Sequence, residues 1–122
     1  MASARSFEDL EVWQKATDLA VRVYGLTLHP TFNRDFALRD QIRKSAISIS
    51  SNIAEGFEYG NNKDFIRFLK YAKGSAGEFR SQLYIARKLN YMEEAEYDQL
   101  RKEQLHLSRQ ISSLIRYLQQ HI

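Results

Sequence analysis

The sequence predicts an all-α protein, an antiparallel up-down-up-down four-helix bundle, and three observations carry that expectation. Apolar residues recur at alternating steps of 4 and 3 through four long segments, only one proline and five glycines interrupt the 122 residues, and no run shows the two-residue period of a strand. The composition, 43% apolar and 27% charged, is that of an ordered helical protein. A chain of this length builds one core, so residues 1–122 are expected to form a single domain.

The first helix is predicted from about Glu8 to Leu28, with Ser6 as its cap, Glu8, Asp9 and Glu11 complementing the helix dipole, and His29-Pro30 as its stop. Its core side reads Val12, Ala16, Leu19, Val23 and Leu26. A loop over residues 30–34 leads into the second helix, Phe36 to Glu58, and Tyr59-Gly60-Asn61 turns the chain back. Asn62 is the expected cap of the third helix, whose seam of Phe65, Leu69, Ala72, Ala76, Phe79, Leu83 and Ala86 ends near Asn90. After a tight turn at Tyr91-Met92, the acidic run Glu93, Glu94, Glu96 and Asp98 opens the fourth helix. That helix buries Tyr97, Leu100, Gln104, Leu107, Ile111, Leu114 and Leu118. Two of the connections are short, so consecutive helices must double back.

The second helix carries two stripes. Gln41, Ser45, Ser48, Asn52 and Glu55 form a polar one beside the apolar Ile42, Ala46, Ile49, Ile53 and Gly56. The third helix repeats the device with Tyr71, Ser75, Glu78 and Gln82. In a hairpin turning near residue 60, Ser45 and Ser48 fall opposite Ser75, and Gln41 lies near the level of Glu78. Two readings stand: a polar network that fixes the register of the two helices, or a contact between subunits. Gly74 and Gly77 lie mid-helix, where each costs about 1 kcal/mol relative to alanine, so a neighbouring backbone is expected to approach them, inside the bundle or from another copy.

Chemistry is poorly represented. No cysteine is present, no histidine or lysine completes a nucleophile-base pair in the seams, and Glu103-x-x-His106 is one Glu-x-x-His element where a di-iron bundle needs two. Neither a phosphate loop nor a dinucleotide-binding pattern occurs. We therefore expect no catalytic residues, no cofactor and no metal. The opening residues lack the apolar run of a signal peptide and no segment is long and apolar enough to span a bilayer, which places the expected protein in the cytoplasm, away from membranes.

Charge is unevenly spread. Residues 1–60 stand at −1 and residues 61–122 at +4. Lys73, Arg80 and Arg87 repeat every seven residues on the third helix, as do Lys102, Arg109 and Arg116 on the fourth, so the six are candidates for one cationic strip that binds nucleic acid. The alternative is a solvated face that only maintains solubility. Tyr84, Tyr91 and Tyr117 are candidate stacking residues, with core packing as the other reading.

The stretches FEDLEVWQKA (7–16), QIRKSAISISSNIAEG (41–56), DFIRFLKYAKGSAGE (64–78) and ARKLNYM (86–92) resemble the four-helix-bundle proteins encoded in intervening sequences of bacterial 23S ribosomal RNA. The core of the likeness is Ser48 to Gly56. Members commonly carry proline where this chain has Ser50, which implies a straighter second helix here. The resemblance implies a homo-oligomer, typically a pentameric ring, without known catalysis. Related bundles serve as accessory proteins of diversity-generating retroelements, accompanying a reverse transcriptase and binding nucleic acid through basic surfaces. The expected protein is thus a non-enzymatic oligomeric scaffold whose basic face engages RNA or a nucleic-acid-processing protein, and the alternative is an adaptor that binds only proteins.

Overall fold

The computed structural model describes residues 4–122. They form a short 3-10 turn at Phe7–Asp9 and five α-helices: α1 (Glu11–Thr27), α2 (Pro30–Arg34), α3 (Phe36–Glu58), α4 (Asn62–Lys88) and α5 (Glu94–Gln119). No strand occurs among the described residues. Each long helix packs against two others, α1 on α3 and α5, and α4 on α3 and α5. Their apolar seams meet in one core, where Ala16, Val23, Ile42, Ile49, Leu69, Phe79, Leu83 and Ile111 have no exposed surface.

Three details differ from the expectation. The first helix begins at Glu11, because Ser6 and Asp9 close the 3-10 turn instead, the Asp9 carboxylate accepting from the backbone N–H groups of Arg5 and Ser6 at 3.0 and 3.3 Å. Leu10, between turn and helix, is buried. The expected loop over 30–34 is helical, with Pro30 pre-set for a first turn and Phe32 wholly buried against the Tyr91 ring, 5.1 Å away. Asn61 caps α4 in place of Asn62: its Oδ1 accepts from the Asp64 N–H at 2.9 Å. Asn62 reaches the other end of the chain, donating to the His121 carbonyl at 3.2 Å.

Both turns use left-handed residues where the geometry requires them, Gly60 at φ 76° and Asn90 at φ 61°. Past Asn90, the Tyr91 N–H donates to the Ala86 carbonyl at 3.0 Å and closes α4. The Tyr91 hydroxyl then donates to Asp35 Oδ2 at 2.9 Å, while Asp35 Oδ1 caps α3 by accepting from the Leu38 N–H at 3.1 Å. That bond to Asp35 holds the phenol above its ordinary pKa. Because the raised value belongs to the folded state, the contribution is complete below about pH 10 and lost as pH rises through the folded value. Tyr91→Phe is therefore expected to melt below the parent by a constant margin up to that point, with the margin closing at higher pH in thermal melts.

Candidate functional site

Between α3 and α4 the polar stripes form a chain of hydrogen bonds. The Ser45 hydroxyl donates to Gln82 Oε1 at 2.6 Å, the hydroxyls of Ser48 and Ser75 share a bond of 2.9 Å, and Asn52 Nδ2 donates to the Ser48 carbonyl and hydroxyl at 2.8 and 3.1 Å. Ser45 is buried, while Ser48, Asn52, Ser75 and Gln82 are half-buried. Gln41, Glu55 and Glu78 share the rhythm and stay exposed, outside this network. Short side chains are caught between the helices. The longer ones at the margins reach water, which solvates them at no desolvation cost. At the hairpin end Gly56 allows the closest approach, since a Cβ there would lie 2.5 Å from Phe68 Cβ. Gly74 and Gly77 show the opposite: nothing lies within 4 Å of a Cβ at either, so neither is required by a close approach within the chain.

The heptad-spaced cations divide between two places. Arg80 lines the groove between α4 and α5 together with Gly77, Ser81, Tyr84, Ile85, Tyr97 and Arg101. Arg87, near its end, pairs with Glu94 at 2.7 Å and lies over the Tyr97 ring. Lys73 is exposed on α4 two turns before Arg80. Arg109 instead faces the groove between α1 and α5, beside Glu11, His106 and Tyr117. Lys102 and Arg116 share its heptad row, and Arg116 donates to Ser113 at 3.1 Å. The six residues therefore do not share one groove.

Sequence periodicity missed Arg101, which faces Arg80 across the α4/α5 groove. The available signal was its place four residues after Tyr97 and three before Gln104, on the flank of the seam. Among the described residues neither Arg80 nor Arg101 takes part in an ion pair, and Tyr84 between them is half exposed. The other two candidate tyrosines are engaged, Tyr91 as described and Tyr117 stacked on His121 at 4.2 Å. Gln104 is buried opposite, donating to the Ala76 carbonyl at 3.2 Å and to Ser108 at 2.9 Å.

A separate polar cluster joins α1 to α5. Lys15 lies 3.0 Å from Glu11 and 3.2 Å from His106 Nε2, and Arg22 pairs with Glu103. Hydrogen bonding and charge from Lys15 hold the Glu11 carboxyl below its ordinary pKa. Glu103 is thus committed to Arg22 and His106 to Lys15. Among the described residues no group of three or more histidines and carboxylates converges as a metal site would require. Among the described residues no helix is long and apolar enough to cross a membrane.

The arrangement defines an all-helical protein held by a serine-asparagine seam, with unpaired arginines along one inter-helix groove. Residues 8–113 match the 23S rRNA-intervening sequence protein family, and the chain belongs to that family. It is also similar to the crystal structure of a protein of unknown function of the S23 ribosomal protein family from Bacteroides thetaiotaomicron. The two are 25% identical with a TM-score of 0.77, over 85% of this chain and 97% of that one. No curated protein matches the chain.

Proposed function

We propose that this protein is a non-enzymatic, self-assembling helical scaffold that engages RNA, or a protein that processes nucleic acid, through the basic surface of α4 and α5. The observation that carries the reading is the pair Arg80 and Arg101, without carboxylate partners, flanking the half-exposed Tyr84 ring. Paired cations serve the fold, whereas unpaired ones beside an aromatic face suit phosphates and bases. The up-down-up-down topology is part of the same reading. Contacts between neighbouring helices descend in number, Ser45 to Gln82 then Ser48 to Ser75, Tyr84 to Tyr97 then Ala76 to Gln104, as opposed directions require.

Self-assembly draws support from apolar side chains that the single chain leaves uncovered. Val21, Leu28 and Phe36 are 67%, 66% and 64% exposed. The family resemblance puts five copies in a closed ring, the natural product of a head-to-tail interface. These same side chains favour the second reading, an adaptor that binds only proteins.

Fluorescence anisotropy with a labelled oligouridylate, alongside light scattering, tests the proposal. The parent should bind with an affinity that falls as salt rises, each phosphate contact adding roughly −0.7 to the slope of log affinity against log salt. Arg80→Glu with Arg101→Glu should weaken binding by more than about tenfold at unchanged mass and helicity, since exposed charges contribute little to stability. An assembled parent that ignores RNA at low salt establishes the adaptor instead, and a parent near 14 kDa at micromolar concentration overturns the scaffold.

A further inference from the structure

The end of the α3/α4 hairpin carries an aromatic cluster that the basic groove does not include. Tyr59 stacks on Phe68 with ring centres 5.1 Å apart, and Tyr71 meets Phe68 edge-on at 5.4 Å. The Arg67 guanidinium lies over all three rings, 4.6 Å from the Phe68 centroid, and is fixed from the other side by Asp64 at 3.1 Å. Phe68 itself is buried and seated where Gly56 admits it. Tyr59 and Tyr71 nevertheless remain 51% and 50% exposed. Two rings are thus held rigidly by a buried third and by an arginine, with much of their surface open to water.

From this cluster the outer face of α4 runs toward the Arg80 groove, with Glu78 at one margin. Two heptad rows lie side by side there, Lys63, Lys70, Gly77 and Tyr84 in one, Arg67, Gly74, Ser81 and Lys88 in the other. Their middle is bare. Gly74, Gly77 and Ser81 offer almost no side chain, and a Cβ at either glycine would meet nothing within 4 Å. The helix is cationic, since α4 carries seven Lys or Arg against Asp64, which pairs with Arg67, and Glu78. From Tyr71 to Tyr84 the helix rises about 20 Å.

We propose that this face is a track for single-stranded RNA, a reading that rests on the nucleic-acid function argued above and extends its site. Bases stack on Tyr59 and Tyr71 at one end and on Tyr84 at the other, while the strand crosses the bare Gly74–Gly77 surface. Lys70, Lys73 and Arg80 face its phosphates, and Arg67, already engaged with the rings and Asp64, positions the tyrosines. A duplex keeps its bases stacked inside and has no use for exposed rings, so the cluster selects single strands. The bare surface explains why α4 tolerates two glycines that its own packing does not need. A second copy of the chain is the competing occupant, and it is disfavoured by the lysines that flank the track, because burying them unpaired is costly.

The test compares a labelled oligouridylate with an RNA duplex on the parent and two variants. Tyr59→Ala with Tyr71→Ala removes the stacking surface. Gly74→Leu with Gly77→Leu obstructs the track; a Cβ at either position meets nothing within 4 Å and leucine is the better helix former, and circular dichroism checks that the fold is kept. Both variants should lose at least about tenfold in oligouridylate affinity, the tyrosine variant with its salt slope and duplex binding unchanged. Parent-like affinity in either folded variant overturns the track, and so does a change in oligomer mass, which would make the face a contact between copies. Should the tyrosine variant lose helicity, the glycine variant decides. A parent that binds no RNA overturns the function itself, whereas a parent with salt-dependent binding and indifferent variants overturns only the track.

Discussion

Leu107→Asp is expected to abolish the cooperative thermal transition seen by far-UV circular dichroism. Leu107 is 2% exposed in the middle of the α5 seam, within the core shared by all four long helices. Truncating such a leucine costs about 2–5 kcal/mol, and an unpaired carboxylate in its place adds several more, against about 5–15 kcal/mol for the whole stability of a small domain. The basic side chains that line the same cavity as Leu107, Lys15 and His106, are already engaged, Lys15 with Glu11 and His106 with Lys15. A fully helical, cooperatively melting product would show that α5 does not present this row to the core.

Three glycines set up the second large effect, because the same substitution should act in opposite directions. Gly56→Ala brings a Cβ within 2.5 Å of Phe68 Cβ and 3.3 Å of Phe65 Cδ1. Phe68 Cβ is one bond from the backbone and cannot swing aside, so the hairpin must open, at about 1–3 kcal/mol despite the better helix propensity of alanine. Gly74→Ala and Gly77→Ala meet nothing and should each stabilise by about 0.5–1 kcal/mol. Chemical denaturation of the three variants reads the signs directly. A neutral Gly56→Ala would mean that α3 and α4 are less closely apposed at their turn than described.

The four long helices were legible because each buries one continuous stripe, and a stripe that must face a core leaves a period in the sequence. Leu107, Ile111 and Phe79 were readable for that reason. Phe32 was not, since a single apolar residue between His29 and Asp35 has no period, and its short helix exists because Tyr91, distant in sequence, covers it. The serine-asparagine chain was visible as a rhythm, yet rhythm alone does not separate Ser48 from Glu55. Side-chain length and the nearness of α4 make that distinction. Arg80 and Arg109 line different grooves for a related reason: heptad spacing aligns residues along one helix and says nothing of which neighbour they face. Arg101 and Lys102 are adjacent in sequence, and only the position of α4 puts Arg101 in the groove with Arg80.

The seam between α1 and α5 joins the two ends of the chain. Lys15 meets His106 across 91 residues, whereas Ser48 and Ser75 are only 27 apart. It is also the sparsest of the four inter-helix seams. Closing it orders the longest loop for the smallest gain in packing, so the α3–α4 hairpin is expected to form early in folding and α1 to dock on α5 last. Motion in the native state follows the same ranking. Amide hydrogens of α1 are therefore expected to exchange through partial openings, and those of α4, gripped by α3 and α5, to exchange only on global unfolding.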